Sequence, residues 1–258
     1  MIEDRDLTDL NYAKSLLENP SLAAKITSLL GAPIEKGFAL LPKNWSQTVA
    51  DSTRKALVVA VEAAVMTLDK RSGGRSSDFM HKILVAASGA GGGFFGLPAL
   101  AVELPFSTTI MLRSIADIAR SEGELISDPQ TKIACIEVFA LGGPGNRDDA
   151  VNTGYFATRA ALSRAVSEAA EHISRRSIIE EGAPAIVRLI VQVASRFGVQ
   201  VSEKAAAQAI PVIGAAGGSI LNTLFIDHFQ DMARGHFIVR RLENKYGCDQ
   251  IKRAYDRL

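Results

Sequence analysis

Residues 51–70 read DSTRKALVVAVEAAVMTLDK. Ala56, Val59, Ala60, Ala63 and Val65–Met66 recur there at three- and four-residue steps, so they line one face of a helix, interrupted by Arg54, Lys55 and Glu62. A strand would alternate every second residue, and few stretches of this chain do. Downstream, Gly73-Gly74 is expected to end this helix and Ser76-Ser77-Asp78 to cap the next. Asp128-Pro129 pairs an N-cap with proline at the first helical position, and that helix is expected to reach Gly142-Gly143-Pro144-Gly145. Asp148-Asp149 can cap a long helix over about 147–174. Pro184 starts a helix expected to break at Gly198, and a final long helix spans Pro211 to Lys245, stopped by Gly247. Residues 249–258 add one short helical tail. The predicted fold class is all-α: a single multi-helix bundle with central glycine-rich helices.

Composition narrows the function. The chain has 258 residues, 47% of them hydrophobic, which is enough to bury a sizeable core. Its formal net charge is +1, with 29 basic and 28 acidic side chains, so the concentrated basic field that nucleic acid needs is absent and no nucleic-acid partner is expected. Cys135 and Cys248 are the two cysteines, too far apart for a CxxC zinc motif, and a disulfide framework is not expected. The opening Met1-Ile2-Glu3-Asp4-Arg5-Asp6 is acidic and does not resemble a signal peptide, which predicts a cytoplasmic location.

Two segments carry no charge. Twenty residues separate Lys82 from Glu103 (ILVAASGAGGGFFGLPALAV), and twenty-two separate Lys204 from Asp227 (AAAQAIPVIGAAGGSILNTLFI). Either has the length of a bilayer-spanning helix, about 20 residues. Their glycines argue against an ordinary spanning helix, because each interior glycine costs about 1 kcal/mol relative to alanine. Pairs four apart, Gly89 and Gly93, Gly92 and Gly96, Gly214 and Gly218, suit close helix crossing in lipid or in a protein core alike. The amphipathic flanks favour a core; membrane contact, spanning or dipping into one leaflet, is the other reading. Phe94 and Phe95 at a loop tip are then a lipid wedge, or else a buried turn. Glu103 and Arg113 lie among apolar neighbours, and each needs a partner or water. They are either the polar lining of a cavity or an ordinary ion pair or exposed face.

Three blocks carry a resemblance: GAGGGFFGLPAL (89–100) running on through Glu103-Leu104-Pro105 to Arg113, FALGGPGNRDDAVNTGYFATRAAL (139–162), and IPVIGAAGGSILNTLFIDHFQDMARGHFIVRRLENKYG (210–247). Across about residues 45–247 the chain resembles the EcsC family, named for a bacterial protein encoded beside an ABC transporter. The resemblance implies a helical fold and an intracellular or membrane-associated role linked to transport or secretion, and it brings no secure enzymatic reaction. It divides the chain into an N-terminal helical arm, 1–44, and an EcsC-like helical domain, 45–258.

Candidate binding residues cluster after the second glycine run. Asp148 and Asp149 fit cap chemistry. Asn152, Tyr155 and Arg159, at steps of three and four, share a helix face on which the arginine fork can hold a carboxylate or phosphate. On the same helix Ala150, Gly154, Ala157, Ala161, Ala165 and Ala169 form a ridge of small residues for a packing helix or a docked membrane protein. Asp227, His228 and Asp231 have metal-ligand chemistry but lack the Glu-x-x-His pairs of helical di-metal sites, so no metal or cofactor is expected. GAGGGFFG lacks the lysine of a P-loop and the third glycine of a dinucleotide fingerprint, and GxSxG and HExxH do not occur. The reading that follows is a non-enzymatic helical protein that binds a lipid, a membrane surface or a membrane protein such as a transporter. The binding set is Phe94, Phe95, Glu103, Arg113, Asp148, Asp149, Tyr155 and Arg159. The alternative is a hydrolase or other enzyme whose polar site joins Glu103, Arg113, Asp148 and Arg159.

Overall fold

Asp128 accepts a hydrogen bond from the backbone N–H of Gln130 at 3.1 Å and Pro129 follows it, so a helix begins where cap and fixed φ coincide. Gly247, at φ +88°, ends the last long helix in a backbone region that L side chains rarely adopt. Between such local signals the computed structural model describes residues 2–18, 22–31, 33–68, 96–142, 154–175, 183–210 and 218–258. Among them are ten α-helices and no strand. They are α1 (Asp4–Leu17), α2 (Leu22–Leu30), α3 (Glu35–Leu40), α4 (Trp45–Thr67) and α5 (Gly96–Ser121). Then come α6 (Pro129–Glu137), α7 (Tyr155–Arg175), α8 (Pro184–Ala209), α9 (Gly218–Tyr246) and α10 (Cys248–Tyr255). A 3₁₀ turn, Val138–Ala140, extends α6.

Side-chain bonds give the helix directions. Ser114 on α5 meets Gln230 on α9, and Glu124, just past α5, meets Arg240 on α9, so these two helices run parallel. Arg120, near the end of α5, donates to the carbonyl of Leu68 at the end of α4, so α4 runs parallel to α5 as well. α8 is antiparallel to α7, because Arg196 reaches Thr158 while Arg188 reaches Glu168. It is also antiparallel to α9, with Lys204 over Phe225 and Phe197 against Phe229. Consequently the starts of α4, α5 and α9 and the end of α8 lie at one end of the bundle. Of the two uncharged stretches, residues 96–102 and 218–226 open the parallel pair α5 and α9 and residues 205–210 close α8; residues 83–95 and 211–217 lie outside the described residues.

Phe139, Phe197, Phe225 and Phe229 form the centre of the core, with ring centroids 5.1–6.0 Å apart and tilted or edge-to-face contacts. Each buried phenylalanine contributes about 1.5–3 kcal/mol by burial. This cluster explains one correction. α8 runs unbroken through Gly198, where a break was expected. Its neighbours Phe197, Val201 and Ala205 are buried, and their burial outweighs the ~1 kcal/mol propensity cost of one glycine. Similarly, α4 begins at Trp45, a full turn and more before Asp51, with Trp45 tilted against Phe38 at 5.5 Å. α5 passes through Pro105, and Thr109 Oγ1 donates to the Pro105 carbonyl at 2.8 Å.

The N-terminal helices pack into the same body. α1 lies antiparallel on α9: Asp6 meets Lys245 and Tyr246, Asp9 meets Arg241, and Gly235 lets Ala13 and Leu17 approach. The small-residue ridge of α7 divides. Ala165 and Ala169 are buried, whereas Gly154 and Ala161 face solvent; Ala150 lies outside the described residues.

Candidate functional site

A chain of ionisable side chains threads the junction of α6, α7 and α9. Glu137 ends α6 as a lone acid among Ile133, Ile136, Val138 and Phe139, and the fold keeps it buried. α7 contributes Tyr155 and Arg159 one turn apart; α9 contributes His236 and Glu243 two turns apart. Tyr155 Oη lies 3.0 Å from His236 Nδ1, and His236 Nε2 lies 3.9 Å from Glu137 Oε2. Arg159 Nη1 donates to Glu243 Oε1 at 2.8 Å while its guanidinium covers the Tyr155 ring at 5.3 Å. Arg240 adds a bond to Glu124 at 2.9 Å, and Glu124 also accepts from Thr131 at 2.8 Å.

Burial dominates the electrostatics of this cluster. It pushes the Glu137 carboxyl up to about 7, against the pull of Arg159 and Arg240. Burial likewise holds the His236 imidazole well below its ordinary value, helped by the same two arginines, and raises the Tyr155 phenol. The Tyr155 phenol therefore shares its hydrogen bond with Nδ1 of a neutral imidazole, and Nε2 of the same ring faces Glu137. Cys135, two residues before Glu137, has its thiol pushed up to about 12 by burial, which removes it as a nucleophile.

A second buried pair stands at the end where α5 and α9 begin. Lys204 of α8 is 1% exposed, yet its Nζ lies 2.6 Å from Glu103 Oε1 on α5 and 4.8 Å from the Phe225 ring centroid. Its neighbour Glu203 is pushed up to about 7 by burial, against a backbone hydrogen bond from Ala23.

Of the residues singled out from sequence, Tyr155 and Arg159 come together as their spacing implied. Glu103 does not join them. Phe225, beneath Lys204, and Glu243, bound to Arg159, are eighteen residues apart on α9, about 27 Å along the axis. Arg113 is on the exposed side of α5. Phe94, Phe95, Asp148, Asp149 and Asn152 lie outside the described residues. On α9, Asp227 is exposed while His228 is buried, and Asp231 pairs with Lys25 at 3.2 Å, so these three do not face one point. Among the described residues no group of three or more His, Cys, Asp or Glu is placed to hold a metal ion.

Sequence reasoning passed over Glu137, His236, Glu243 and Lys204. Only Glu137 carried a readable signal: a single ionisable residue with apolar neighbours three and four positions away, Ile133, Ala134, Ala140 and Leu141. Among the described helices, α8 is long and apolar enough by length and composition to cross a bilayer. Its Leu189, Val193, Phe197 and Val201 face nevertheless forms part of the protein core.

A family model described as the EcsC protein family matches residues 6–242. No curated protein and no solved structure matches the chain.

Proposed function

The chain belongs to the EcsC protein family, and from that premise we propose that it is a non-enzymatic protein that binds a lipid or membrane surface peripherally, in support of transport or secretion. The observation that carries this reading is the exposure of large apolar side chains where α5 and α9 begin: Val102 at 79%, Phe106 at 40% and Ile220 at 48%. Scattered exposed apolar residues are ordinary. These three stand at the same level of two parallel helices, each preceded by a glycine-rich, uncharged segment. That level is where an apolar surface, with the partly exposed Glu103 at its edge, could meet lipid. Phe225 and Glu243, which mark the Glu103 and Arg159 pairs on α9, stand about 27 Å apart along the helix, which supports this reading over one polar site that joins those pairs.

Protein purified without detergent is expected to sediment with liposomes and to carry lipid detectable by mass spectrometry. Val102→Asp with Phe106→Asp, and separately Phe94→Asp with Phe95→Asp, should each abolish sedimentation without lowering the unfolding midpoint. Undiminished binding by both folded double variants would remove the apolar end from the mechanism.

A further inference from the structure

We propose that Lys204 is the receptor for the anionic headgroup of an amphiphile, with Glu103 occupying that position until the ligand displaces it; this rests on the membrane-binding reading above. Three observations lead to it. Lys204 is the buried partner and Glu103, with its side chain 24% exposed, is the one that reaches solvent. Val102 precedes Glu103 and Phe106 follows within one turn, so the partly exposed carboxylate borders the two exposed apolar side chains of α5. On the inner side Phe225 presents its ring face to the ammonium, so Lys204 is already held at the α5–α9 junction whatever anion it binds.

The exchange is chemically economical. An ammonium this deeply buried is strongly unfavourable without a counter-charge. A carboxylate or an anionic phosphate ester that takes over from Glu103 keeps Lys204 paired throughout, while Glu103 needs only a rotamer change to become hydrated. An ion pair of this kind is commonly no more stabilising than a hydrophobic pair of similar volume, so stability alone does not account for it. A zwitterionic or uncharged headgroup has no net charge with which to compete against Glu103. The occupant is therefore an anionic oxygen headgroup on an apolar tail, the tail lying over Val102 and Phe106.

The test uses the full chain and its Glu103→Gln and Lys204→Met variants, with vesicles of phosphatidylcholine alone or mixed with phosphatidylglycerol. Removing the internal competitor in Glu103→Gln should strengthen binding to the anionic vesicles by about tenfold, and leave binding to phosphatidylcholine unchanged. Lys204→Met should bind both vesicles alike. Oleate below its micelle concentration distinguishes the sources: displacement of wild-type protein from anionic vesicles identifies a single amphiphile as the occupant. Retention with the anionic preference intact identifies a bilayer headgroup. Wild type and Glu103→Gln showing the same ratio of anionic to neutral binding would overturn the proposal and leave membrane binding standing. Failure of every protein to bind any vesicle would overturn both. Glu103→Gln is nearly isosteric but leaves Lys204 without its counter-charge; should it fail to fold, Glu103→Asp, which keeps the charge on a shorter arm, should still raise the anionic preference above that of wild type.

Discussion

Tyr155 and His236, 81 positions apart, share a 3.0 Å hydrogen bond between phenol and imidazole Nδ1, with both side chains buried. The bond ties the first turn of α7 to the middle of α9, and Tyr255 of α10 packs on the same tyrosine at 6.1 Å between centroids. Tyr155→Phe keeps the ring and leaves His236 Nδ1 buried without its hydrogen-bond partner. The expected loss is about 1–3 kcal/mol of unfolding free energy. Urea unfolding of wild type and variant measures it, and an unchanged midpoint would mean that water replaces the phenol. Vesicle binding should not change, because the exposed apolar end lies more than two helical turns away on α9.

The Arg159–Glu243 pair is the stronger constraint at the same junction. Its carboxylate is 7% exposed, so Arg159→Ala strands a buried charge and should cost roughly 3–5 kcal/mol. The double variant Arg159→Met, Glu243→Leu removes both charges and should recover most of that loss. A double-mutant cycle of thermal or urea midpoints reads the coupling. Additive losses would show that the two side chains do not interact in solution.

Which parts of this arrangement were legible follows from how local each signal is. The Asp128–Pro129 start and the Gly247 stop were readable because cap, proline and positive φ act within one turn. The shared face of Tyr155 and Arg159 was readable from helical spacing. Gly198 misled because propensity acts locally while Phe197 and Val201 draw their stabilisation from helices distant in sequence. His236 as partner of Tyr155, and Lys204 as partner of Glu103, 101 positions away, depend on register between helices, which no local period encodes.

Gly37 decides whether α3 can sit on α8. A Cβ at Gly37 would run into the backbone carbonyl of Ala206 in the last turn of α8, and a backbone carbonyl cannot move aside as a flexible side chain can. Gly37→Ala is therefore expected to lift α3 from α8 and to cost about 1–3 kcal/mol. Limited trypsin digestion should show faster cleavage at Lys36 and Lys43, which flank the detached turn. Wild-type cleavage rates together with a wild-type midpoint would show that the two helices have room to separate slightly.

The buried carboxyls set a pH dependence whose sign can be worked out group by group. Glu137 and Glu203 are each pushed up to about 7 from an ordinary 4.5, so both hold a proton in the folded state that the unfolded chain has released. Their stabilising contribution is complete below pH 4.5 and is lost as pH rises to about 7. His228, pushed down to about 4 from an ordinary 6.5, acts oppositely: its contribution is complete above pH 6.5 and is lost as pH falls toward 4. His236 moves in the same direction as His228. Across pH 4.5–6.5 the two carboxyls and two imidazoles largely offset one another, which hides each in the wild-type profile. Glu137→Gln exposes one of them. Around it Arg159, Arg240, Glu243 and His236 keep their places, and the amide no longer ionises. The variant should therefore gain on wild type as pH rises, by up to about 3 kcal/mol between pH 4.5 and 7, and hold that advantage above. Urea midpoints at pH 5 and pH 8 measure the change, and profiles that stay parallel would show that Glu137 ionises normally in the folded protein.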